Sequence, residues 1–78
     1  MGSNIVHQYF KKEAEGAKIL IKVNPIHLRG AEITIDAQGH IEGREIEFGP
    51  NIVAELLANG YHEASPLEFN LYDTGLAH

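Results

Sequence analysis

Apolar and polar positions alternate along much of the chain, and turn residues separate the alternating segments. Residues 18–23 read KILIKV, and further on Ile33 and Ile35 alternate with polar neighbours. A period of two in β-branched segments is typical of strands. Asp36-Ala37-Gln38-Gly39 suits a type I turn whose glycine is left-handed. The centre of the chain is therefore predicted to form a β-hairpin, with Asp36 opposite His40 and Ile35 opposite Ile41.

The second strand of this hairpin interrupts the alternation. Ile41 is odd-numbered, whereas Ile46 and Phe48 are even-numbered, so a regular strand would place them on opposite faces. One extra residue, a β-bulge, would bring all three to a common face. We therefore predict a bulge at Gly43-Arg44.

A helix is predicted to follow this strand. Gly49-Pro50 suits its start, because proline is tolerated at the first helical position. Asn59-Gly60 suits its end, and Tyr61 is placed to pack on Leu56 as in a Schellman motif. The predicted buried stripe consists of four apolar residues at helical spacing: Ile52, Val53, Leu56 and Leu57.

The start of the chain is compatible with two structures. Apolar residues fall on one face of a helix over Asn4–Glu15, with Gly16 suited to its end. The alternative is a strand through Val6–Phe10 that turns back at Glu15-Gly16. We take the helix as the expectation.

The end of the chain is predicted to be a strand. Leu67, Phe69 and Leu71 alternate after Ser65-Pro66, and Asp73-Thr74-Gly75 suits a turn into a flexible tail over 74–78. With residues 1–3 expected to be a tag remnant or disordered, the chain is predicted to form one α+β domain over 1–78. Its element order is α-β-β-β-α-β, with a mainly antiparallel sheet and the helices packed on one face.

Composition narrows the classes of function. The chain has 78 residues, a formal charge of −5 and no cysteine, which removes disulfides and thiol ligands. The only basic pair, Lys11-Lys12, is followed by glutamate, so we expect no nucleic-acid binding. No apolar run, Ile19-Leu20-Ile21 included, is longer than three residues, which is far short of a membrane span. We expect a cytoplasmic protein that does not bind membranes and has no cofactor.

Histidines and carboxylates offer the main candidate chemistry. His27 and the pair His62-Glu63 could reach a common rim of the sheet, and Asp36 and His40 flank the hairpin turn. These residues are candidates for a divalent metal or small ligand, although a metal needs three or four ligands. Solvated polar residues around a hairpin are the alternative explanation.

Catalysis has little support. No serine or threonine lies in a nucleophile elbow, and no phosphate-binding glycine motif occurs. Asp73 is the one carboxylate we would name for a small carboxylate enzyme, because Asp-Thr-Gly occurs in aspartic proteases. A strand-ending turn, where Asp, Thr and Gly are the expected residues, is the preferred explanation of this tripeptide. The sequence leans against an enzyme.

Two apolar side chains suggest a contact surface. Leu20 is predicted to lie opposite Ile19 and Ile21, and Tyr72 opposite Phe69 and Leu71, so Leu20 and Tyr72 could form an apolar patch on a polar face. Alternatively, the N-terminal helix or the tail covers them. The resulting hypothesis is a non-catalytic interaction module that binds a protein partner or itself as a homodimer. Small-ligand or metal binding is the alternative.

Overall fold

The computed structural model describes residues 7–76, with side chains described as far as Tyr72. These residues form five strands and two helices, in the order β-β-β-β-α-β-α. The strands are β1 (Gln8–Ala14), β2 (Ala17–Asn24), β3 (Arg29–Ile35), β4 (Ile41–Glu47) and β5 (His62–Glu63). The helices are α1 (Ile52–Ala58), between β4 and β5, and α2 (Pro66–Leu76), after β5. The α+β class is as predicted, whereas the element order differs from the prediction.

All five strands join one antiparallel sheet in the order β4-β3-β2-β1-β5. The first four strands form a meander with tight turns. Glu15 and Gly16 make the first turn with φ of 54° and 81°, and Leu28 closes the second with φ of 55°. The short β5 pairs with β1, so β4 and β5 are the two edge strands.

The helices lie on opposite faces of the sheet, which corrects the prediction that they share one face. On the α1 face, Leu56 packs with Phe10, Ile21 and Val23. On the α2 face, Phe69 packs with Leu20 of β2 and Ile33 of β3. Because successive residues of a strand point to opposite faces, β2 contributes to both cores.

The predicted N-terminal helix is wrong for the described residues. Residues 8–14 form β1, which pairs along its whole length with β2 from Gln8↔Val23 to Ala14↔Ala17. The alternative strand that turns back at Glu15-Gly16 is therefore the correct one there. Tertiary pairing overrides the helical spacing of the apolar residues. Residues 1–6 lie outside the described part.

The predicted last strand is also wrong, because residues 66–76 form α2. Ser65 Oγ accepts a hydrogen bond from the Glu68 backbone N–H at 3.1 Å, which caps the helix. Pro66 occupies the first helical position, where its missing N–H costs nothing. The helix buries Phe69, exposes Leu67 and Leu71, and includes residues 74–76, which had been expected in the tail.

The predicted bulge at Gly43-Arg44 is absent. The β3–β4 register runs unbroken from Ile35↔Ile41 to Arg29↔Glu47. The register places Ile41 on the α2 face and Ile46 on the α1 face. With helices on both faces, the strand has no need to gather its apolar residues on one side.

The central hairpin and the end of α1 are confirmed. Gly39 is left-handed, with φ of 87°, and Asp36 N–H donates to the His40 carbonyl at 3.0 Å. Gly60 N–H donates to the Leu57 carbonyl and Tyr61 N–H to the Leu56 carbonyl, the two bonds of a Schellman motif. Leu57 itself is 52% exposed, so it does not belong to the buried stripe.

Candidate functional site

The outer edge of β4 is the most extended unpaired feature in the described part of the chain. The bonds from Asp36 N–H to His40 and from Phe48 N–H to Leu28 show which residues face β3. In an antiparallel ladder, bonded and non-bonded pairs alternate, so the even-numbered residues of β4 direct their N–H and C=O groups to β3. The odd-numbered residues direct theirs outward: Ile41, Gly43, Glu45 and Glu47.

No described segment pairs with this edge. Natural edge strands are commonly short, bulged, or interrupted by proline or lysine, because a bare edge invites another strand. β4 is seven residues long, has a regular register and contains neither proline nor lysine. Charged side chains, which also protect edges, are present on β4. These side chains carry charges of both signs, so the charges on an added strand decide whether it can pair with β4.

An ion pair lies next to the β4 edge, on the α1 face. Arg44 Nε donates to Glu32 Oε1 at 2.8 Å, and the Arg44 side chain remains 70% exposed. The terminal N–H groups of this guanidinium have no hydrogen-bond partner among the described residues. Glu42 is on the same face, two residues away. The edge therefore presents one cationic and one anionic side chain side by side.

The predicted pair Asp36 and His40 is confined to the hairpin turn. Asp36 Oδ1 accepts the backbone N–H groups of Gln38 and His40, both at 2.9 Å, and Oδ2 lies 3.1 Å from His40 Nδ1. The hydrogen bond from the His40 backbone N–H holds the pKa of Asp36 below its usual value. Turn formation thus accounts for both side chains.

The other predicted ligand residues do not converge. His27 lies in the β2–β3 turn, where its backbone N–H donates to Asn24 Oδ1 at 3.0 Å. His62 is exposed and pairs with Lys11, which is in register with Leu20 rather than Asn24. That offset is about 13 Å along the strands at 3.3 Å per residue. Glu63 is exposed on the opposite face of β5 from His62. Among the side chains described, those of residues 7–72, no three histidine, aspartate or glutamate residues are grouped to hold a metal.

Leu20 and Tyr72 do lie on the same face, but not as an exposed patch. Leu20 is 0% exposed beneath α2, and Tyr72 is partly buried against the same cluster. The segment that covers Leu20 is α2, which carries Tyr72 itself, and not the N-terminal helix or the tail that the alternative named. While α2 is in place, Leu20 is closed to a partner.

A small charged cluster holds α2 on the sheet. Glu68 accepts hydrogen bonds from Lys11 Nζ at 3.0 Å and from Lys18 Nζ at 3.1 Å. The hydrogen bond from Lys11, followed by that from Lys18, lowers the pKa of Glu68. The hydrogen bond to Glu68 raises the pKa of Lys18, whose ammonium also lies 5.5 Å from the centre of the Tyr72 ring. The sequence pattern Ser65-x-x-Glu68, a capping box, could have predicted the helix that carries this cluster.

A polar groove lies on the α2 face, at the end of the sheet where β2 meets β3. Its volume is about 620 Å³, and its lining includes His7, Lys22, Arg29, Glu45 and Glu47. Burial and the neighbouring Lys22 lower the pKa of His7. Sequence reasoning missed this groove, because its residues are far apart in the chain and only the strand register brings them together.

Comparisons with protein-family models, curated proteins and solved structures find no match for this chain. The fold is therefore described by its architecture, as a small α+β domain with a five-stranded antiparallel sheet and two helices. Neither described helix is long and apolar enough to cross a membrane.

Proposed function

We propose that this protein is a non-catalytic interaction module that self-associates through the outer edge of β4. The observation that carries the proposal is the regular seven-residue edge with outward N–H and C=O groups and no covering segment in the described chain. An added antiparallel strand would satisfy those groups, a recurrent mode of protein recognition. A homodimer also suits a small domain without disulfides, because such domains gain stability from association.

The test is light scattering behind a sizing column over a hundredfold range of protein concentration. The native chain should change from monomer to dimer as concentration rises. Glu45→Pro should remain monomeric, because it removes an outward N–H that the fold does not use. Glu45→Gln keeps that N–H and is the matched control, which should still dimerise. Thermal unfolding of each variant should verify that the fold is intact.

Two results would overturn the proposal. One is a native chain that stays monomeric over the whole range. The other is a folded Glu45→Pro variant that dimerises as tightly as Glu45→Gln, since an interface elsewhere would then be responsible.

A second candidate function is small-ligand binding, which the polar groove favours. Three basic side chains and two glutamates line it, so a ligand that carries both a carboxylate and an ammonium group would suit its charges. Titration with a dipeptide should then shift the NMR signals of groove residues in a saturable way, and Lys22→Met should weaken the effect. Weak shifts spread over the whole surface would contradict this candidate.

A further inference from the structure

We infer that the strand added to β4 is β4 of a second copy of this chain, in the antiparallel register that places Gly43 opposite the partner's Gly43. In this register Arg44 lies opposite the partner's Glu42, and the two-fold symmetry repeats the pair. The inference rests on the proposed function and specifies its partner and its geometry.

Ladder geometry restricts the possible registers. The outward backbone groups belong to odd-numbered residues, so an added strand must form its hydrogen-bonded pairs there. For two copies, odd residues must face odd residues, and the two-fold axis must pass through a residue position. The even-numbered residues then form the non-bonded pairs, whose Cα atoms are only about 4.5 Å apart. Side chains at those positions interact most strongly.

The charges on the β4 side chains then exclude most of the remaining registers. Centring the axis on Glu42, Arg44 or Glu45 places that residue directly opposite its own copy, which is destabilising for like charges. Axes at later positions of the strand, Ile46 or Glu47, bring Glu45 or Glu47 opposite a glutamate of the partner. An axis at Ile41 leaves only a short overlap between the two strands. The axis at Gly43 avoids every like-charge pair and retains about six backbone hydrogen bonds.

The side chain of Arg44 is already oriented for this contact. Its Nε is already bound to Glu32 Oε1, which orients the guanidinium along the α1 face. Its terminal N–H groups have no partner among the described residues, and a guanidinium can serve two carboxylates at once. In the dimer, each Arg44 would lie between Glu32 of its own chain and the partner's Glu42.

Glycine at the axis also fits. In a hydrogen-bonded pair the two Cα atoms lie about 5.5 Å apart, and Gly43 brings no side chain to this contact. Ile41 would lie opposite the partner's Glu45, over whose methylenes it can pack. A heterologous partner strand would have no reason to repeat this two-fold pattern.

The decisive experiment exchanges the charges between chains. Glu42→Arg alone and Arg44→Glu alone each place like charges opposite one another in both symmetric pairs. Each should therefore dimerise about tenfold more weakly than the native chain. An equimolar mixture should restore tight association as a heterodimer, because both of its pairs are then of opposite sign. Sedimentation equilibrium measures the dissociation constants of the native chain, of each variant and of the mixture, and native mass spectrometry identifies the heterodimer.

Cross-linking provides an independent measure of register, because the native chain has no cysteine. Gly43→Cys should form a disulfide-linked dimer on mild oxidation, since the predicted Cα separation is within disulfide range. Ile41→Cys is the matched control, and its two copies would be about 13 Å apart and should remain unlinked.

The possible failures are distinguishable. If Glu45→Pro abolishes the dimer but the mixture associates no more tightly than the separate variants, the β4 interface stands and the register is wrong. Efficient linking of Ile41→Cys but not Gly43→Cys would also overturn the register. If Glu45→Pro leaves the dimer unchanged, both the interface and the register are wrong.

Discussion

The two edges of the sheet are built in different ways. β5 consists of two residues, His62 and Glu63, and the chain enters it from one helix and leaves it to another. Its neighbour Tyr61 packs into the core under α1, and Ser65 caps α2. β4 has seven residues, and its outer side has no neighbour in the described chain. The β5 edge is two residues long and lies between two helix ends, whereas the β4 edge is seven residues long and has no covering segment in the described chain.

Because the two edges differ, the stability of the monomer and its association should depend on different residues. Substitutions near β5 should act on the stability of the monomer, because the core and the helix ends lie there. Substitutions on the outer side of β4 should act on association and leave the monomer intact. Three substitutions around β5 test this separation, and their expected effects on stability decrease from Leu56 to Gly60 to Glu68.

Leu56→Ala should reduce the free energy of unfolding by about 2–5 kcal/mol, the usual range for removing a buried leucine side chain. Leu56 is 6% exposed and anchors α1 over Phe10 and Ile21. Leu57→Ala is the matched control on the same helix and should change stability by less than about 0.5 kcal/mol, because Leu57 is largely exposed. Urea unfolding of the monomer measures both. Similar losses for the two variants would contradict the described position of α1.

Gly60→Ala should cost about 1 kcal/mol, because alanine is strained at the left-handed φ of 92°. The loss reflects this backbone conformation rather than space, since an added Cβ would meet only the Lys12 side chain at 3.7 Å. Gly49→Ala is the control: its added Cβ meets nothing within 4 Å, and its φ is outside the left-handed region. Thermal unfolding should show a loss for Gly60→Ala alone. Equal effects at the two sites would exclude the Schellman motif as the cause.

Glu68→Gln should have the smallest effect, up to about 1 kcal/mol, because Glu68 is partly exposed. The pKa of Glu68 is lowered in the fold, so the native chain gains stability above the unfolded pKa and loses it as pH falls through the folded value. The difference in stability between the native chain and the variant should therefore begin to shrink as pH falls below the unfolded pKa of about 4.3 and disappear below the folded pKa. Urea unfolding between pH 3 and pH 7, with Glu63→Gln as an exposed control, measures the difference. A constant difference across this range would contradict the role of the ion pairs.

Local signals in the sequence predicted part of this fold correctly. The Asp36–Gly39 turn and the end of α1 were predictable because each depends on a few adjacent residues with specific backbone requirements. β2 and the pairing of Ile35 with Ile41 followed from short-range alternation. These features require no knowledge of distant segments.

Two of the errors have one physical cause, which is that the sheet is covered on both faces. Leu20 and the apparent slip at Gly43-Arg44 were interpreted as if only one face were buried. The alternation at Leu67, Phe69 and Leu71 outweighed the capping signal of Ser65 and Glu68. The β4 edge and the polar groove were beyond prediction, because strand order and register are set by pairing between distant segments.

The most direct test of the β4 interface is amide hydrogen exchange, followed residue by residue by NMR at several protein concentrations. The ladder geometry makes the Gly43 and Glu45 amides outward on β4 and the Glu63 amide outward on β5. Protection at Gly43 and Glu45 should increase with concentration, while exchange at Glu63 stays unchanged. Self-association through β4 would be contradicted if light scattering detects dimers over a range of concentration in which exchange at Gly43 and Glu45 does not change.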